Sequence, residues 1–371
     1  MVAPQYQLNN QETEPKLMSI HSEVRPPSIG DVARVAGVSV PTVSRVLTGK
    51  QRVSSEKTKR VHDAIAQLGY RPNSAARALV SGRGSIVGVI AGNTSRYGYA
   101  SAIQGVEEAA RAAGYTVVIT VVESTEEAEV QRAVDLLLGQ QVAGIVVLKF
   151  DPAGVAALNA LPVGIPVAVM SGTREARHSQ AVFEEAKAAA AATRYLLDLG
   201  HETVHHVAIP SSRREDGRTQ GWRKALKDAG ARVPPVMRAT WEPASAHTLG
   251  LAIANREDIT ALFCGNDDLA IGLISGLATQ GKVVPRDFSV VGFDDHPLAR
   301  FWLPPLTTVS QDFVRLGHDA FSLLEQKIAG TAANKLERRL PELIIRQTAA
   351  APRTGAHGRV EPHSSGAIAG I

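Results

Sequence analysis

The chain has 371 residues, 44% hydrophobic and 20% charged content, and a formal net charge of +4, enough for two or three domains around a sizeable core. No apolar run reaches the roughly 18–20 residues of a membrane span, and the polar, mixed-charge start MVAPQYQLNNQETEPKLMSIHSEV lacks the basic region and apolar stretch of a signal peptide. The single Cys264 excludes an internal disulfide and a cysteine-based zinc cluster, so a cytoplasmic protein without a cofactor or metal is expected.

Residues 1–27 show no periodicity and read as a disordered tail, with Met18 an alternative translation start. Between Ser28 and Arg83 ten basic residues stand against three acidic ones, a net +7 that leaves −3 for the rest. A basic module on a mildly acidic body points to a polyanion-binding head; a solvated basic face is the plainer alternative.

Three short helices are predicted in residues 28–73. In the first, Ser28 and Asp31 have capping-box spacing, Ile29, Val32, Ala33 and Ala36 form one apolar stripe, and Gly37 stops the helix. The second starts at Ser39 with Pro41 in its first turn. It packs through Val43, Val46 and Leu47, leaving Val40, Pro41, Ser44, Arg45 and Thr48 on the other face. The third is capped at Ser54 or Ser55, buries Val61, Ala64, Ile65 and Leu68, and ends at Gly69. Helix, tight turn, helix is the arrangement that lays a second helix in the DNA major groove. Residues 74–84 follow as a linker whose Ala-Ala-Arg-Ala-Leu favours helix but is too short to be stable alone.

From Ile86 the pattern changes. IVGVIAG, TVVITVV, GIVVL, IPVAVM, TVHHVAI, ALFCG and FSVVGFD read as strands. AIQGVEEAARAAG, EVQRAVDLLLGQ, AAATRYLLDLGH, TQGWRKALKDAG and DLAIGLISGLATQG read as helices. Alternation of this kind predicts two doubly wound α/β subdomains with parallel sheets and a ligand at the strands' carboxyl ends. Gly82-x-Gly84 precedes a strand and is no dinucleotide fingerprint. His205 and His206 are adjacent, hence on opposite strand faces. Asp294-Asp295 has no second catalytic partner in sequence, and no catalytic role is assigned. The stretch 347–371 is rich in Gly, Ser and Ala, reads as a disordered tail and lacks the heptads of a coiled coil, which favours a dimer.

The run DVARVAGVSVPTVSRVL, then RVS, then LGYRPNSAARALVSGR closely resembles the head of the LacI/GalR family of bacterial transcription regulators. GHETVHHVAI, GRTQGW, FCGNDDLAIG, VPRDFSVVGFDD and PPLTTVSQDF resemble that family's effector core through about Arg346. The resemblance implies a small all-α helix-turn-helix head plus an α/β periplasmic-binding-protein-like core of two doubly wound subdomains. It divides the core at 85–346 into an N subdomain (about 85–182 and 310–346) and a C subdomain (about 183–309).

By the same resemblance Val40, Pro41 and Arg45 face base edges; only Arg45 has the side chain for a bidentate contact with guanine, a phosphate contact being its plainer role. Ser39, Thr42, Ser44, Thr48, Ser54 and Tyr70 sit at backbone-contact positions. Asn73, Ala76 and Arg77 lie along a minor groove that Leu79 wedges open. Arg218, Asn266 and Asp294 match sugar-hydroxyl ligands, Trp241 and Phe313 match aromatic walls, Tyr97 lies in the first cleft loop, and Gln311 is a further candidate. Asn266 and Asp294 could instead cap helices, and Trp241 and Phe313 could be core. The chain departs from the family in RYGYAS at the cleft loop, in Ser171 and in Glu184-Glu185; Tyr97 and Tyr99 hint at an extended sugar.

The function expected is a homodimeric DNA-binding repressor of carbohydrate genes, released from double-stranded operator DNA by a small-molecule effector, a sugar. A co-repressor-dependent regulator and a carbohydrate-binding transport protein are the alternatives.

Overall fold

The computed structural model describes residues 25–48, 52–71, 84–174, 177–211, 216–331 and 333–353. The chain forms two compact units, residues 1–81 and 82–371. No helix among the described residues is long and apolar enough to cross a membrane.

In the first unit, α1 (Ile29–Ala36) opens with the predicted capping box. The Ser28 N–H donates to the Asp31 carboxylate (2.9 Å) and the Asp31 N–H to Ser28 Oγ (3.3 Å). Gly37, at φ 62°, ends the helix in the left-handed region that glycine adopts without strain. Next come α2 (Val40–Thr48) and α3 (Ser55–Leu68), the latter closed by Gly69 at φ 60°. Val32, Ala33, Ala36, Val43, Val61 and Ala64 are buried between the three helices, with Ile29, Val46, Leu47, Ile65 and Leu68 around them. The predicted apolar stripes therefore meet in one small core.

The second unit begins with β1 (Ile86–Ala91), α4 (Tyr97–Ala112), β2 (Thr116–Val121), α5 (Glu127–Leu138) and β3 (Gly144–Lys149). It continues with α6 (Pro152–Ala160), β4 (Val167–Ser171), β5 (Ser179–Phe183) and α7 (Glu185–Asp198). Then follow β6 (His205–Ala208), α8 (Gly217–Asp228), β7 (Met237–Arg238), α9 (Pro243–Ile253), β8 (Ala261–Cys264), α10 (Asp267–Thr279) and β9 (Ser289–Val291). The last elements are β10 (Thr308–Ser310), α11 (Phe313–Ile328), β11 (Leu336–Arg339) and β12 (Glu342–Ile344).

Two parallel sheets result, in the orders β11-β5-β4-β3-β1-β2 and β7-β6-β8-β9, with β10 and β12 paired antiparallel. Every residue of β3 and β4 is buried, as strands covered by helices on both faces require. The chain leaves the first sheet after β5, returns with α11 and β11, and leaves again before β12.

Two differences from the sequence reading concern the C-terminal end. The sequence resemblance puts residues 342–346 in the N subdomain, but β12 pairs with β10, and Arg346 Nη2 reaches Asp295 Oδ1 (2.6 Å) in the second half. The composition of residues 347–353 predicts the start of a disordered tail. Instead Thr348 is fully buried: its hydroxyl donates to the Val290 carbonyl (2.7 Å) and accepts from the Thr307 N–H (2.8 Å). His201 Nε2 and Ser289 Oγ then hold the Ala350 carbonyl (3.0 and 2.8 Å). The composition of this stretch is tail-like, but its backbone groups satisfy those at the edge of β9.

Candidate functional site

The carboxyl ends of both sheets face one cleft of about 890 Å³, part of it open to solvent. Three of its polar residues sit where a strand hands over to the next element. Arg218 lies in the first turn of α8 after β6, Asn266 caps α10 after β8, and Asp294 follows β9.

Arg218 is buried and its guanidinium is heavily engaged. Nη2 donates to Glu185 Oε1 (2.9 Å) and Gln311 Oε1 (3.1 Å) and lies 3.2 Å from Asp294 Oδ1. Nη1 donates to the Gly265 carbonyl, and the guanidinium lies 4.3 Å from the Phe293 ring centre. Asp294 Oδ1 has only its ion pair with Arg218, and it lines the cleft, where a ligand can complete it; Gln311 Nε2 is buried without a hydrogen bond, but Gln311 is not among the described lining residues. Burial pushes the Asp294 carboxyl up to about 7, Arg218 opposing and Glu185 and Asp268 adding to the shift. Asp294 and Asp295 both have positive φ, 108° and 50°, a strained backbone of the sort that clusters at functional sites.

Asn266 does act as a cap: its Oδ1 accepts from the Leu269 N–H (2.9 Å). Its side chain still lines the cleft, and what it offers there is its amide N–H. The neighbouring Asp267 is buried away from the cleft and fastens the loop after β9. Oδ2 accepts from the His296 N–H (2.6 Å) and Oδ1 from the Thr308 hydroxyl.

Phe313 and half-buried Trp241 both line the cleft. Phe313 makes edge contacts with Phe183 (5.4 Å), Tyr97 (5.9 Å) and Phe150 (6.2 Å). It is thus wall and core at once. The two tyrosines read as loop residues are not in a loop. Arg96 is the N-cap and Tyr97 and Tyr99 lie in the first turn of α4, because the Asn93 Oδ1 accepts from the Ser95 and Arg96 N–H groups (2.8 Å each) and starts the helix early. Both tyrosines line the cleft: Tyr97 lies edge-on to His296 at 5.0 Å, and Tyr99 is buried with its hydroxyl donated to Asp151.

Glu185 and Lys149 also line the cleft and were not among the predicted ligands. The signals were present: Glu184-Glu185 stood out as a substitution, and Lys149 closes an otherwise apolar strand. His205 and His206 do point to opposite faces. His206 stacks on Phe263 (5.0 Å), gives its Nδ1–H to the Phe263 carbonyl (2.9 Å) and takes the Thr219 hydroxyl at Nε2 (3.0 Å). Burial lowers its proton affinity, so this neutral tautomer anchors the start of α8, next to Arg218.

In the head, Val40, Pro41 and Arg45 are exposed on α2, and Val43 is buried beneath them. Ser39 and Thr42 hydroxyls are 2.9 Å apart, Ser44 is half-buried, and Thr48 is the last residue of α2. Ser54 occupies the N-cap of α3 without a side-chain capping bond, and Tyr70 packs on the head's core. Asn73, Ala76, Arg77 and Leu79 lie outside the described residues.

Residues 28–73 match the family described as bacterial regulatory proteins, lacI family, and residues 193–349 match a periplasmic binding protein-like domain. The chain is 31% identical over 328 residues to the HTH-type transcriptional repressor PurR of Pasteurella multocida (strain Pm70), covering 86% of this chain and 98% of that one. The chain belongs to the lacI family of bacterial regulatory proteins. A PurR of Haemophilus influenzae (strain PittEE) is 30% identical over 332 residues, with 86% and 98% covered. Among solved structures, the Lac repressor dimer bound to operator and the anti-inducer ONPF superposes with a TM-score of 0.80 at 28% identity, covering 88% of this chain and 100% of that one. The complex of the transcriptional regulator CelR with cellobiose gives 0.64 at 27% identity, with 87% and 100% covered. This lacI-family chain is a DNA-binding transcriptional repressor: its first unit is the helix-turn-helix head, and its second is a ligand-binding core.

Proposed function

We propose that this repressor works as a cytoplasmic homodimer with no catalytic step, and that a neutral sugar bound in the cleft releases it from its operator. The observation that carries the effector class is the charge balance around Arg218. Its positive charge is already matched by Glu185 and Asp294, and among the described residues the charged ones lining the cleft are three basic (Arg96, Lys149, Arg218) and four acidic (Glu185, Asp216, Asp268, Asp294). Such a lining disfavours a phosphate and suits hydroxyl groups. Asp294 accepts from them, Asn266 donates to them, Arg218, itself held by Gln311, keeps the acceptors in place, and Phe313, Trp241 and Tyr97 take an apolar sugar face. The binding of cellobiose by CelR supports the same class.

In the head, Arg45 supplies the hydrogen-bonded base contact, and Val40 and Pro41 supply apolar contact to a thymine methyl. Ser39, Thr42, Ser44, Thr48, Ser54 and Tyr70 position the head on the backbone. Asn73, Ala76 and Arg77 follow the minor groove, and Leu79 wedges the central step.

The test is a gel shift on the gene's own upstream fragment with a panel of mono- and disaccharides. Release by one sugar, lost in Asp294→Ala while operator binding persists, is the expected result. Tighter DNA binding in its presence would make the ligand a co-repressor instead. Normal release of Asp294→Ala would sink the assignment of the cleft.

A further inference from the structure

The cleft adjoins a second cavity, and the partition between them is made of two side chains. The Arg96 guanidinium lies 4.9 Å from the centre of the Trp241 ring and 3.8 Å from a Glu242 carboxylate oxygen. Arg96 and Trp241 line the cleft on one side. On the other they line an outer chamber of about 920 Å³, widely open to solvent, whose further walls include Asn93, Glu123, Ser124 and Thr125.

The partition is built to move. The Arg96 backbone is fixed, because its N–H is held by Asn93 Oδ1 at 2.8 Å. Its side chain is 28% exposed and the Glu242 side chain 72% exposed, so the ion pair is screened and weak. A guanidinium on an indole face is held by the ring's quadrupole, and that face is equally a platform for the apolar side of a sugar ring. The outer chamber supplies suitable partners: the Glu123 carboxylate, the Ser124 and Thr125 hydroxyls, and the amide N–H of Asn93, whose oxygen is already used by the loop.

We propose that the outer chamber is a second sugar subsite and that Arg96 is its gate. The side chain swings off Trp241, the second ring of the ligand takes its place, and the effector is therefore a neutral saccharide of at least two linked rings. This rests on reading the inner cleft as a sugar site.

Calorimetry on the full-length protein with matched one-ring and two-ring sugars tests it: glucose and cellobiose, galactose and lactose, xylose and xylobiose, mannose and mannobiose. In the pair that binds, the two-ring sugar should bind at least about tenfold more tightly, a difference well resolved in Kd. Thr125→Trp, which fills the outer chamber, should erase that gain and leave one-ring binding within about twofold. Glu123→Ala, an exposed loop change that does not threaten folding, should lower two-ring affinity alone. Arg96→Ala should raise two-ring affinity severalfold, and a two-ring affinity that does not rise would show that Arg96 is no gate. One-ring binding that depends on Asp294 but gains nothing from a second ring overturns the outer subsite alone. If no sugar of either length binds, the reading of the inner cleft falls, and this one with it.

Discussion

Asp294 concentrates the chemistry of the cleft in one residue. Its backbone is in the left-handed region, one carboxylate oxygen has only the ion pair with Arg218, and burial lifts its proton affinity to about 7. A sugar hydroxyl that donates to the carboxylate favours the ionised form, so ligand affinity should rise as pH increases through about 7. Asp294→Asn should bind less tightly and lose that pH dependence, as calorimetry between pH 6 and 8 would show; an unchanged slope would assign the titration elsewhere. In the head Arg45 is exposed on α2 beside two side chains without donors, and the proposed base readout rests on it. Arg45→Ala should cost about 1–3 kcal/mol per half-site, read as a loss of operator affinity with the effector Kd unchanged.

Helix contacts set the position of the cleft walls. Tyr97 opens α4 and Phe313 opens α11, and the two helices touch backbone to backbone. A Cβ on Gly105 would come within 2.0 Å of the Val314 carbonyl oxygen, and one on Gly317 within 2.5 Å of that of Ala102. Gly105→Ala should therefore push the helices apart, at a cost of about 1–3 kcal/mol. The expected readouts are a lower core Tm and weaker sugar binding with the head's DNA affinity retained. The same packing explains which elements were hard to read. α6 and α9 are short, mostly apolar and begin at proline, so they show little contrast between faces. β5, whose five residues are all buried, mixes Ser, Gln and Ala into a strand without alternation. β10 and β12 have three residues each and form by pairing with one another and, for β10, with the stretch after β9.

At the scale of the whole molecule, repression and effector binding are linked. Any factor by which the sugar weakens operator binding must equal the factor by which operator weakens sugar binding; calorimetry with and without a saturating operator duplex would measure both. Leu298, Phe301 and Leu303 are 56%, 75% and 87% exposed on the loop after Asp294, exposed apolar side chains at which the proposed dimer contact can be tested. Phe301→Asp should shift the protein to monomer in sedimentation and weaken operator binding through loss of the second head. If Phe301→Asp remained dimeric, the interface would lie elsewhere.

Sequence alone determined the head in near-complete detail, because caps, stripes and glycine stops are local: Ser28, Asp31, Gly37 and Gly69 act within a turn of where they stand. It also determined the two-sheet character of the core, and its motifs pointed to Arg218, Asn266, Asp294 and Gln311. Only the tertiary structure decided how these meet. Glu185, Arg218, Asp294 and Gln311 come from four separate stretches and converge because the chain passes repeatedly between the sheets. It alone shows that Glu185 neutralises Arg218, that Tyr97 and Tyr99 both reach the cleft from the first turn of α4, and that residues 347–353 close the edge of β9. Partners far apart in the chain, and the burial that shifts a carboxyl, leave no periodic signal in sequence.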